Sequence, residues 1–91
     1  MQRKEIEKVV KEVIFEKMGE FTGFNHAAEI DNEDGLATDM AMDPFDLLEV
    51  LMDIEEKIGI RISDDVFGDK PVDELTVGIF VDMLYDWFKS K

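Results

Sequence analysis

The run Asp43–Ile60, DPFDLLEVLMDIEEKIGI, constrains the fold of this chain more than any other stretch. An aspartate directly before a proline is a helix-start signal. The carboxylate can accept an amide of the first turn, and proline suits the first helical position, where its missing N–H has no partner to lose. Gly59 is a natural stop, so the spacing predicts a helix over Pro44–Ile58. Successive residues turn about 100° around a helix axis. That places Leu47, Leu51, Ile54 and Ile58 on one core-facing stripe, and Asp46, Glu49, Asp53 and Glu56 on the roughly opposite, solvated side. Phe45, Leu48 and Met52, at i, i+3 and i+7, remain as a second apolar stripe flanking the acids. Either a loop folds over this stripe, or a partner protein covers it with the acids steering its approach.

The other elements are also helical by pattern. Gln2–Met18 carries Ile6, Val9, Val10, Val13 and Ile14 on one side, with Gly19 and Gly23 expected to end it. Glu20–Met42 is a connection too long for a simple turn, and loops of that length are functional or hide a short helix. After Ile62, Ser63 reads as an N-cap with Asp64 and Asp65 in the first turn of a short helix curtailed by Gly68 and Pro71. A last helix follows from Thr76, its cap, to Phe88, with Val77, Phe80, Val81, Leu84 and Phe88 inward. Nothing alternates as a strand would, and no repeat is present. The expected fold is all-α: three main helices plus one short one.

A chain of 91 residues, 45% apolar, can close around one modest core, so 1–91 is expected to be a single domain. It has no cysteine, which excludes disulfide and thiolate chemistry and is compatible with a reducing, cytoplasmic location. No signal-like or membrane-length apolar run occurs. Twenty-three acids against ten bases leave a net charge of −13, which argues against nucleic acid and against insertion into anionic membranes. The imbalance is local as well. No Lys or Arg lies between Lys17 and Lys57, where twelve acids fall, while five bases sit in the first helix. Such a surface either keeps the chain soluble or docks a basic partner.

The run DMAMDPFDLLEVLMDIEEKIGI resembles the start and body of helix two in acyl carrier proteins, which reads D-L-G-x-D-S-L-D-x-V-E-L-x-x-x-L-E. Without a gap, Asp39 and Met40 stand at D-L, Ala41 at the glycine, Asp43, Phe45 and Asp46 around the D-S-L signature, Glu49 at the glutamate and Glu55 at the late acid. IRISDD is similar to the family's I-x-I-P-D-E entry into a short third helix, and DELTVGIF to the T-V opening of its last one. The resemblance implies a four-helix bundle with a long loop between helices one and two. It also implies a serine oxygen that a transferase couples to the phosphopantetheine of coenzyme A, acyl groups then riding on its terminal thiol. Pro44 stands at that serine's place, and proline has no hydroxyl. Ser63 and Ser90 lie elsewhere, and Thr38 precedes the helix out of register. No attached cofactor is therefore expected.

Other chemistry finds less support. DNEDGLATD is acid-rich, but placing Gly35 at the sixth position of a calcium loop puts Ile30 and Ala41 where ligands are required. His26 is the sole histidine, read as solvent-facing or loop-capping, and without cysteine it forms no metal or nucleophile–base set. Glu55 and Glu56 are adjacent, so they point in different directions and make no acid–base pair. Tyr85, Trp87 and Phe88 are most simply core packing. The expectation is a monomeric, non-enzymatic interaction module of carrier type. It would dock a partner with a basic patch, such as an enzyme of fatty-acid, polyketide or lipid-related synthesis, through Asp43, Phe45, Asp46, Leu48, Glu49, Met52, Asp53 and Glu56. The alternatives are a genuine carrier modified at an unexpected residue, and a small acidic regulator that neutralises a basic target.

Overall fold

Capping chemistry sets the helix boundaries in the computed structural model, which describes residues 2–68 and 70–90. Helix α2 is Pro44–Ile58, stopped by Gly59 in the left-handed conformation at φ 72°. Helix α3 is Val77–Lys89, begun by Thr76, whose hydroxyl accepts the Ile79 N–H at 3.1 Å. Helix α1 is Arg3–Thr22, longer than its pattern suggested. It runs through Gly19 and stops at Gly23, where φ is 79° and the N–H donates to Gly19 O at 3.1 Å. One helical glycine costs about 1 kcal/mol, less than the roughly 1.5–3 kcal/mol that burying the neighbouring Met18 contributes.

The expected fourth helix is not there. Asp64–Phe67 forms a single 3-10 turn, with Val66 N–H on Ser63 O at 3.1 Å, before Gly68 turns the chain at φ 58° and Pro71 follows. The side chains of Asp64 and Asp65 lie outside the described residues. Two further 3-10 turns occur, Ala27–Glu29 inside the long connection and Val72–Glu74 before α3. The architecture is thus three α-helices joined by 3-10 turns, with no strand among the described residues. None of the helices is long and apolar enough to cross a membrane.

Helix α1 packs on both α2 and α3. Lys17 of α1 pairs with Glu49 of α2, while Glu12 and Glu16 meet Lys57 further along α2, so the two helices run antiparallel. Ile6, Val10, Val13 and Ile14 are buried against them, as is Val50 of α2, which the four-residue core stripe omitted. Val50 sits at the edge of that stripe and is fully buried.

The connection between α1 and α2 belongs to the core. Ile30, Leu36, Met40 and Met42 are all at most 3% exposed. Helical period could not predict this, because the segment is pinned by backbone bonds instead. Leu36 N–H donates to Leu75 O (3.0 Å), Val77 N–H to Asp34 O (2.9 Å) and Gly78 N–H to Asn32 O (2.8 Å), around an isolated antiparallel bridge of Gly35 with Thr76. Together with the Thr76 hydroxyl, the Asp34 and Asn32 carbonyls satisfy the amides of Val77, Gly78 and Ile79, which have no partner within α3. Gly78 permits the approach: a Cβ there would lie 3.1 Å from the Asn32 carbonyl oxygen.

Asn32 also ties this loop to α1 by donating to Glu7 at 2.8 Å. That bond, followed by the charges of Lys11 and Arg3, holds the Glu7 carboxyl below its ordinary value of 4.5, against the opposing effect of burial. Arg3 in turn reaches Asp82 of α3 at 2.7 Å.

Two outcomes follow. Leu36→Ala is expected to cost about 2–5 kcal/mol in urea unfolding, as a core leucine does rather than a loop residue. Because the folded Glu7 carboxyl is more acidic than the unfolded one, its contribution is complete above the ordinary glutamate pKa. It is lost as pH falls through the depressed folded value. Below about pH 4.5, the urea midpoint of Glu7→Gln should therefore decline less steeply than that of the unsubstituted chain.

Candidate functional site

Helix α2 starts with a reciprocal cap. The Asp43 carboxylate accepts the Asp46 N–H at 2.8 Å, and the Asp46 carboxylate accepts the Asp43 N–H at 3.2 Å. Pro44 occupies the first helical position between them. Ala41, at φ 56°, turns the chain into this cap, and Met42 N–H bonds back to Leu36 O at 3.0 Å. Both carboxylates are thereby committed to backbone amides.

The second apolar stripe is open. Phe45 is 74% exposed, Leu48 41% and Met52 63%, and Ile60 joins them at 44%. Among the described residues these are all the large exposed hydrophobic side chains. Of the two coverings expected, the loop is not the one used, because its apolar residues point into the core instead. Ile60 was missed because it lies beyond the helix-ending glycine, where helical spacing gives no guide.

The acids of α2 do not form the uniformly solvated face expected of them. Glu49 is engaged by Lys17 of α1, whose side chain is only 20% exposed. The hydrogen bond to Glu49, then the charges of Glu49, Asp53 and Asp46, raise the Lys17 pKa above 10.5. Asp46 and Asp53 are half-buried on that same flank, whereas Glu56 is exposed. At the C-terminal end of α2, a shallow cleft of about 540 Å³ is lined by Met52, Asp53, Glu55, Glu56, Gly59, Ile60 and Arg61.

From Asp39 to Ile62 the chain contains no serine or threonine, so no hydroxyl is present anywhere in α2. Thr76 is committed to capping α3, and Ser90 donates to Trp87 O at 2.8 Å. Thr38 is exposed, within the turn preceding Met40. The acids of the calcium-like stretch are turned onto backbone amides: Asp31 on Glu33 N–H (2.9 Å), Asp34 on Asp31 N–H (2.9 Å) and Asp39 on Gly35 N–H (2.6 Å). The described residues include no cluster of His, Cys, Asp and Glu able to hold a metal. His26 is exposed, beside the turn that Glu29 caps by accepting the Asn25 and His26 amides. Tyr85, Trp87 and Phe88 pack in part against the core, the last two edge to face at 5.2 Å.

This helical frame, with a capped α2 presenting its outer face, is that of a carrier domain. The family described as "Phosphopantetheine attachment site" matches the chain over residues 12–86, and the chain belongs to it. No solved structure matches it significantly.

Stability and surface can be separated at α2. Asp43→Ala is expected to cost about 1 kcal/mol through the lost cap, whereas Phe45→Ala should stay within about 0.5 kcal/mol because its side chain lies outside the core. Urea titration of the two variants checks the contrast.

Proposed function

We propose that this domain is a non-enzymatic docking module that keeps the carrier family's frame without the carrier's covalent arm. The observation carrying this reading is Pro44 at the first helical position of α2, between the reciprocally capped Asp43 and Asp46. In the ungapped motif this is the attachment position. The register offers no substitute, since the whole span Asp39–Ile62 lacks a hydroxyl. Phosphopantetheine requires an oxygen there to form its phosphodiester, so the residues of α2 do not fit the group. The helix itself loses nothing by the exchange, because its first amide has no partner to give up.

What remains for α2 to do is bind. Phe45, Leu48 and Met52 form an exposed strip of the kind that anchors a partner, edged by Asp43, Asp46, Glu49, Asp53 and Glu56. A net charge of −13 selects for a protein partner with a basic patch, such as a biosynthetic enzyme that ordinarily receives loaded carriers.

The test is intact-mass measurement after incubation with coenzyme A and a broad-specificity phosphopantetheinyl transferase. The unsubstituted chain should keep its mass, and Pro44→Ser should gain one phosphopantetheine. Loading of the unsubstituted chain, at Thr38 or elsewhere, would favour an atypical carrier and overturn the proposal.

A further inference from the structure

Helix α1 sorts its charges by side. Glu5 accepts the Gln2 N–H at 3.1 Å, Glu7 is held by Asn32 and Arg3, and Lys57 of α2 meets Glu12 at 3.8 Å and Glu16 at 2.8 Å. Among the bases, Arg3 is tied to Asp82 and Lys17 to Glu49. Lys4, Lys8 and Lys11 form no hydrogen bond or ion pair among the described residues. At i, i+4 and i+7 they fall within about 60° of one another round the axis, on the side turned away from Lys17 and therefore from α2. Lys4 and Lys8 are exposed and Lys11 is half-buried. Phe15, at i+11, ends the stripe and packs in part against the core. Beside the lysines, the 3-10 turn Ala27–Glu29 leaves a shallow depression of about 270 Å³ lined by Lys8, Lys11, Glu12, Ala27 and Ala28.

We infer that this face of α1 is a second interaction surface, separate from α2, and that its occupant is an acidic amphipathic helix of a partner protein. The acids that could neutralise the lysines from within α1 are already engaged elsewhere, so the cations are left for an outside carboxylate. Their spacing is that of a helix face, which a second helix with Asp or Glu at i, i+4 and i+7 matches residue for residue. The depression is smaller than the roughly 300–1,000 Å³ of a small-molecule pocket, and it suits one apolar side chain set beside those acids. Its floor of Ala27 and Ala28 gives such an anchor an apolar contact, and the stems of Lys8 and Lys11 extend it. A single phosphate is too short an occupant, because Lys4 and Lys11 are about 10 Å apart along the axis. An anionic bilayer would be repelled by the net charge of −13 and by exposed Glu5 and Glu29 close to the stripe. What occupies α2 has no bearing on this surface.

The test uses two stapled helical peptides of about 15 residues and identical composition. One carries three glutamates at i, i+4 and i+7 with a leucine beside them; its isomer has the glutamates spread round the helix. By calorimetry with the full chain, the striped peptide should bind about tenfold more tightly than the isomer, and added salt should weaken it. Amide shifts should map to Lys4, Lys8, Lys11, Ala27 and Ala28. Lys8→Gln should weaken binding about fivefold with its urea midpoint unchanged. Lys70→Gln, which removes the same charge from an exposed site elsewhere, should weaken it less than about twofold. Equal binding of the two peptides, an equal loss with Lys70→Gln, or shifts that leave α1 untouched overturns the inference. Binding of phosphatidylserine vesicles through Lys8 with no response to either peptide would overturn it in favour of a lipid surface. Self-association of the chain alone that Lys8→Gln abolishes would overturn it in favour of a second copy.

Discussion

Three backbone hydrogen bonds between the long connection and the start of α3 are what the rest of the fold depends on. Asn32 and Asp34 carbonyls receive the amides of Gly78 and Val77, and the Leu75 carbonyl receives that of Leu36. A helix start buried without such partners would forfeit about 1–3 kcal/mol for each unsatisfied group. The loop therefore has a fixed place, and its own apolar residues are fixed with it. Leu36, Met40 and Met42 fill the space between the helices. Having been drawn inward, they cannot also cover the outer stripe of α2. Phe45, Leu48 and Met52 are exposed because the loop has better contacts elsewhere.

The electrostatics follow from the same packing. Of the six bases in α1 and α2, three, Arg3, Lys17 and Lys57, bridge to another helix. Lys17 reaches Glu49, and Lys57 reaches Glu16 at 2.8 Å and Glu12 at 3.8 Å. These pairs are partly exposed, so each adds little to stability, but they decide which acids remain available. The seam-side carboxylates are screened by a neighbouring cation. Glu55 and Glu56 at the far end form no ion pair among the described residues, although Arg61 lines the same cleft. Overall acidity is a property of composition; its direction is a property of packing.

Much of the frame was legible in the chain. Asp43-Pro44 and Gly59 marked the limits of α2, and Thr76 marked the start of α3, because capping involves residues only a few positions apart. Gly19 did not end α1, which runs on to Thr22 and stops at Gly23, the other glycine expected to end it. The short fourth helix proved to be a 3-10 turn because Gly68 and Pro71 leave no room for a second turn. Of the candidate site, the apolar strip was readable by spacing. The capture of Glu49 by Lys17 was not, as those residues are 32 positions apart.

The sequence by itself determined the class of fold, the register of α2 and the absence of a hydroxyl along it, for each rests on local spacing or simple residue identity. Only the tertiary structure decided that the connecting loop enters the core, that the outer strip of α2 is left bare, and that its acids divide into paired and unpaired groups. Those outcomes depend on contacts between residues far apart in the chain, where backbone amides and a few long cationic side chains find partners that no local pattern specifies.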